Sequence, residues 1–155
     1  KKILEEKGIK VSGELYPRDW NPSYKEWKEV FEKNPISEET ILIGHSAGCA
    51  FILRWISETK RRVQKIILVA PYILKTKEFP LFNPLTDFKI GNEIEKYCNE
   101  IVTIYSKNDY YFILQSVKFL RSAIEARFIE YLKAGHFCTS NGFKEFPELL
   151  DEILR

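Results

Sequence analysis

The sequence predicts a three-layer α/β fold, a parallel sheet with helices on both faces, and three observations carry that expectation. Short runs rich in β-branched and aromatic residues alternate with segments of helical periodicity. The middle runs are nearly continuous Ile, Leu and Val, as expected of strands buried on both faces. At 155 residues, with 45% hydrophobic and 30% charged residues, the chain suits one domain, 1–155, around a single core.

The expected strands are 9–15, 40–43, 65–70, 101–105 and 126–131. Between the first two, Ser23 and Glu26 have the spacing of a capping box, and Tyr24, Trp27, Val30 and Phe31 then share one helical face until Asn34-Pro35. Residues 49–56 are apolar nearly all round, broken by Arg54, which predicts a central buried helix. Ile113, Val117, Leu120 and Ile124 recur at helical spacing, as do Phe146, Leu149, Leu150 and Ile153, with Pro147 marking the start of the last helix. Residues 71–92 contain Pro71, Pro80 and Pro84, several aromatics and no clear period, and are expected to form a short lid.

Charge and composition exclude several function classes. With 24 basic against 22 acidic residues, no strong field favours nucleic acid or an anionic membrane as partner. The one basic cluster, Lys60-Arg61-Arg62, follows a predicted helix and complements its C-terminal dipole. The longest apolar run, 66–74, is too short to span a bilayer. Cys49, Cys98 and Cys138 match neither a disulfide framework nor a zinc site, so a reducing cytoplasm is the expected compartment and each is expected as a small buried hydrophobe. No cofactor or metal is expected: the glycines form neither a dinucleotide fingerprint nor a phosphate loop, and the two histidines stand 91 positions apart.

The chemistry-bearing pattern is Gly44-His45-Ser46-Ala47-Gly48, a Gly-x-Ser-x-Gly placed directly between a predicted strand and a predicted helix. There the glycines permit a sharp turn with a strained serine backbone and crowded flanks, and the Ala47 N–H, at a helix N-terminus, faces a developing oxyanion. A serine hydroxyl needs a base to attack. His45, adjacent to Ser46, points elsewhere, which leaves His136, in Ala134-Gly135-His136-Phe137 after the last predicted strand. The chain order Ser, acid, His limits the orienting acid. Asp87 falls in the lid, and Glu100 and Glu125 precede strands; Asp109, in Ser106-Lys107-Asn108-Asp109, follows a strand end.

The expectation is therefore an α/β-hydrolase-like serine hydrolase, with Ser46 as nucleophile, His136 as general base and Asp109 orienting the base, cleaving small carboxylic esters or amides through an acyl-enzyme. Ala47, Tyr110 and Phe137 are expected at the oxyanion and substrate side, and Tyr72, Phe79, Phe82 and Tyr111 as further pocket walls. The alternative is a binding module that keeps the fold without turnover.

These residues resemble the retinoblastoma-binding protein 9 family of small serine hydrolases along the length of the chain. The carriers are Ile41-Leu42-Ile43-Gly44-His45-Ser46-Ala47-Gly48, Ser106 through Asp109, and Gly135-His136-Phe137, at intervals of 109 − 46 = 63 and 136 − 109 = 27. Tyr110 stands where that family usually has proline, and without a Leu-x-Cys-x-Glu pattern the partner implied by the family's name is not carried over. The resemblance also implies an upstream strand and a glycine-bearing loop that supplies a second oxyanion donor. Residues 1–7 read as the tail of a helix capped at Gly8, so Lys1 is not expected to be the natural start.

Overall fold

Four parallel strands, β1 (Ile41–His45), β2 (Val63–Val69), β3 (Cys98–Ser106) and β4 (Arg127–Tyr131), lie side by side in that order in a computed structural model of the chain. The structure describes residues 1–13, 16, 22–78, 80–91 and 93–155. Ile41 lies opposite Lys65, Lys65 opposite Glu100, and Val102 opposite Arg127; β1 and β2 end in step at His45 and Val69, and β3 and β4 run two residues further at the same edge, to Ser106 and Tyr131. Helix α3 (Ala47–Thr59) joins β1 to β2, and α5 (Tyr111–Ala123) joins β3 to β4. Because the strands progress in one direction, right-handed crossovers put both helices on the same face.

The apolar runs correctly mark four of the five expected strands. Of the fifth, residues 9–13 are not in a strand, and Glu14 and Leu15 lie outside the described residues. Strand propensity is a fit to a neighbouring strand's surface, and among the described residues 9–13 pair with no strand. Strand β3 begins three residues earlier than its apolar run, at Cys98, because Glu100 is held by ions rather than by burial: Lys65 Nζ lies 3.3 Å and Arg127 Nε 2.8 Å from it.

Helix α1 (Lys2–Glu6) ends as the Gly8 signal predicts. Gly8 has φ +78°, and the N–H groups of Gly8 and Ile9 donate to Glu5 O and Leu4 O, each at 2.9 Å, which closes the helix in a Schellman motif. Helix α2 (Tyr24–Phe31) starts with Ser23 Oγ accepting from Glu26 N at 3.4 Å. Its aromatic face packs on α3, Phe31 lying edge-on to both Phe51 and Trp55 at 5.1 Å. In α3, Cys49, Ala50, Leu53, Trp55 and Ile56 have no exposed surface. The interrupting Arg54 reaches sideways to sit 3.8 Å over the Tyr24 ring and to pair with Glu58 at 2.8 Å. The helix closes at Lys60 in the left-handed conformation, at the start of the basic cluster.

Residues 71–92 contain more structure than their composition suggests. Pro80–Phe82 forms a 3₁₀ turn that leads into α4 (Asn83–Thr86). Tyr72 and Leu85 belong to the buried core, and the Tyr72 hydroxyl donates to Asn83 Oδ1 at 3.0 Å. Tyr72 is thus a core residue rather than an open pocket wall. Among the described residues, no helix is long and apolar enough to cross a membrane.

Helix α6 (Pro147–Leu154) covers the other face, with Pro147 at its first turn as expected. Lys65 Nζ donates to Glu152 O at 2.9 Å, and Arg127 grips both Glu152 carboxylate oxygens while also holding Glu100. Hydrogen bonds from Arg127 hold the Glu152 and Glu100 carboxyls below the usual carboxylate range, with help from Lys65 at Glu100. A depressed folded-state value stabilises the fold above the ordinary carboxylate pKa near about 4.3, and that stability is lost as pH falls through the folded value. The melting temperature is therefore expected to drop as pH is lowered below about 4, and less steeply in Arg127→Met. Equal slopes for the two proteins would show that this network does not contribute.

Among the described residues, Thr103 Oγ1 in β3 is a buried polar atom without a hydrogen-bond partner, on a residue with no exposed surface. Leaving a hydroxyl unpaired in a dry interior costs about 1–3 kcal/mol. Thr103→Val is thus expected to raise unfolding stability in urea by about 1 kcal/mol.

Candidate active site

The turn between β1 and α3 has the strained geometry that Gly-x-Ser-x-Gly predicts. Ser46 has φ 53° and ψ −122°, a conformation that costs a non-glycine residue about 1–3 kcal/mol and persists only where its surroundings fix it. They do so here: Ser46 N donates to Val69 O at 3.0 Å, and Ser46 O accepts from Cys49 N at 3.0 Å and Tyr72 N at 3.1 Å. The two glycines have different reasons. A Cβ on Gly44 would come within 2.9 Å of Gly48 O and Cys49 N, so the turn closes only on a bare backbone. A Cβ on Gly48 would meet open space, which corrects the expectation that both flanks are crowded. The Ala47 N–H opens α3 and has no acceptor within the helix.

The loops after β3 and β4 meet at this same edge of the sheet. His136 Nδ1 lies 2.9 Å from Asp109 Oδ1 and 3.1 Å from Oδ2, and the Asp109 side chain has no exposed surface. Asp109 Oδ1 also accepts from Tyr110 N at 2.7 Å, just before α5 begins. With its proton on Nδ1 toward the carboxylate, His136 keeps a lone pair on Nε2 for an incoming proton. Asp87, the other aspartate between Ser46 and His136, is an exposed partner of Lys75 at 2.6 Å.

His45 ties the two halves together. Its Nε2 donates to His136 O at 2.8 Å, and the two rings lie 4.8 Å apart. Protein packed around the His45 ring pushes its pKa below the usual histidine value, even though the residue retains a solvent-exposed face. A neutral imidazole carries one proton, and this contact uses it.

The expected pocket walls divide. Tyr110 is 55% exposed, its ring edge-on to His136 at 5.4 Å and stacked on Phe112 at 5.3 Å. Tyr111 is exposed at the start of α5, and Phe82 packs on Tyr72. Phe137 instead joins an aromatic cluster with Tyr131, Phe143 and Phe146, so its ring packs under β4 and α6 rather than forming an open wall. Phe79 lies outside the described residues. A cavity of about 520 Å³, bounded by Ile73, Leu74, Thr86, Phe88, Ile90 and Phe119, is lined by none of Ser46, Asp109 and His136.

The three cysteines are free. Burial pushes the Cys49 thiol up, and Cys98 is pushed up to about 11, chiefly by burial, which makes both poor nucleophiles. Cys138 Sγ donates to His136 O at 3.3 Å.

A parallel sheet with a strained serine between a strand and a buried helix, and an Asp–His pair on later loops at the same edge, defines an α/β-hydrolase. The comparisons agree. The serine hydrolase family model matches residues 12–155, and the chain belongs to that family. YdeN of Bacillus subtilis (strain 168), named as a hydrolase, is 28% identical over 161 residues, covering 99% of this chain and 83% of YdeN. The solved structure of the B. subtilis ydeN gene product superposes with a TM-score of 0.90 at 24% identity, covering 99% of this chain and 86% of that one. Polyneuridine aldehyde esterase gives 0.66 at 15% identity, covering 99% and 90%, and so shares the fold. The chain is a hydrolytic enzyme.

Proposed function

We propose that Ser46 is the nucleophile of this hydrolase, His136 its general base and Asp109 the residue that orients the base. The observation that carries the reading is the buried Asp109 carboxylate on His136 Nδ1, joined through His45 to the strained Ser46 turn. Ser46 Oγ attacks an ester or amide carbonyl as its proton passes to His136 Nε2; His136 returns that proton to the leaving group, and a water then releases the acyl group by the same relay. The Ala47 N–H, at the start of α3, stabilises the oxyanion. Tyr110, exposed beside His136, forms a substrate wall for a small carboxylic ester or amide.

Residues 1–155 act as one domain in this reading, supported by the core cluster that buries residues of β1, β2, β3, α3 and α5 together. The segments 41–48, 106–109 and 135–137 favour a place near the retinoblastoma-binding protein 9 group of serine hydrolases. Three unpaired cysteines favour a reducing cytoplasm.

A fluorophosphonate probe tests the assignment. It is expected to add one phosphonyl group, located by peptide mass spectrometry on the peptide bearing Ser46, and to block ester hydrolysis in proportion. Labelling elsewhere, or hydrolysis that survives complete labelling of Ser46, would remove Ser46 as nucleophile.

A further inference from the structure

The loop that carries His136 leaves the ladder after β4 and turns through left-handed conformations at Gly135 (φ 55°) and Phe137 (φ 54°). Three consecutive amides in it find their acceptors in side chains from elsewhere. Ala134 N donates to Ser106 Oγ at 2.8 Å, Gly135 N to Asn108 Oδ1 at 2.8 Å, and His136 N to Asn141 Oδ1 at 3.0 Å. The carbonyl of His136 accepts from His45 Nε2 at 2.8 Å and from Cys138 Sγ at 3.3 Å. The peptide groups on both sides of the His136 Cα are thus each fixed by a side chain from another segment.

These contacts connect every part of the proposed triad. Asn108 precedes Asp109 and receives Ser106 Oγ at 2.7 Å on the oxygen that binds Gly135, so one amide locks the acid loop to the histidine loop. His45 precedes Ser46 and locks the nucleophile turn to the same loop. Asn141 closes the third side from the 3₁₀ turn Thr139–Asn141, so close that a Cβ on Gly135 would come within 2.6 Å of its amide nitrogen. A loop held only by its own backbone could satisfy its amides in many ways; one fastened to both neighbouring loops of the site has a single position.

We propose that His45, Asn108 and Asn141 are positioning residues that set His136 between Asp109 and Ser46. The proposal rests on the reading of His136 as the base. Displacing a reacting group by about 1 Å costs about 10²-fold in rate. Asn141 and His45 are exposed, so their replacement spares the core.

The test is the second-order rate at which a fluorophosphonate labels Ser46 in the full chain, for Asn141→Leu, His45→Phe and Asn141→Asp, each in the native and His136→Ala backgrounds. Asn141→Leu and His45→Phe are expected to slow labelling by about 10–10²-fold in the native background. Asn141→Asp keeps an acceptor oxygen and is expected to retain most of the rate. In His136→Ala, where no imidazole remains to be placed, none of the three is expected to slow it further. Native-rate labelling by both Asn141→Leu and His45→Phe would overturn the proposal. So would equal slowing in the two backgrounds, the mark of a general structural defect. Native-rate labelling in His136→Ala alone would instead remove His136 as base, and the proposal with it.

Discussion

Ser46→Ala is expected to lose about 10⁶-fold in turnover of a small activated ester while folding as the native chain does. The hydroxyl contributes nothing visible to the fold: Ser46 caps α3 by position, but its side chain makes no capping hydrogen bond. The backbone at φ 53° is held by Val69 O, Cys49 N and Tyr72 N, contacts that alanine preserves. His136→Ala is expected to lose a similar factor, and the double variant to be hardly worse, because nucleophile and base act as one unit. Of the two, Ser46→Ala is the cleaner measurement, since removing the imidazole leaves the fully buried Asp109 carboxylate without its partner. Steady-state ester hydrolysis, with circular dichroism as the check on folding, reads the effect. Undiminished hydrolysis by folded Ser46→Ala would end the mechanism.

How much of this was legible beforehand depends on how local the cause is. The runs around Ile41, Ile66 and Val102 announce buried parallel strands because burial on both faces leaves no room for polar alternation. Gly44 and Ser46 are readable because the turn imposes its demands within five residues, and the histidine and aspartate follow from chain order and strand ends. Long-range causes were not legible. Residues 9–13 have strand composition but pair with no strand among the described residues, and pairing is not written into a single segment. Glu100 looks like a loop residue until Lys65 and Arg127 are seen beside it. Aromatic identity alone did not separate Tyr110, which faces solvent beside His136, from Tyr72 and Phe137, which pack inward. Sequence reasoning sets His45 aside because it adjoins Ser46, and its contact with His136 O spans 91 positions and leaves no local trace. Asn141 is the same case at shorter range, an ordinary turn residue in sequence whose oxygen holds His136 N.

Asp109→Asn is expected to fold normally and to lose on the order of 10⁴-fold in turnover. The replacement matches the carboxylate in size, which matters at a side chain with no exposed surface. Its remaining oxygen can still accept from Tyr110 N, now 2.7 Å from Oδ1. That leaves the amide nitrogen toward His136 Nδ1, where a carboxylate oxygen now lies at 2.9–3.1 Å. An amide N–H donates, so the imidazole must accept on Nδ1 and carry its proton on Nε2. The nitrogen meant to take the Ser46 proton is then occupied, and the developing imidazolium loses its neighbouring negative charge. Both effects act on the acylation step and neither on substrate binding, so the loss is expected in kcat with KM little changed. Single-turnover acylation by a chromogenic ester separates the two parameters. If folded Asp109→Asn acylates at the native rate, the 2.9 Å contact is structural and His136 needs no partner to act as base.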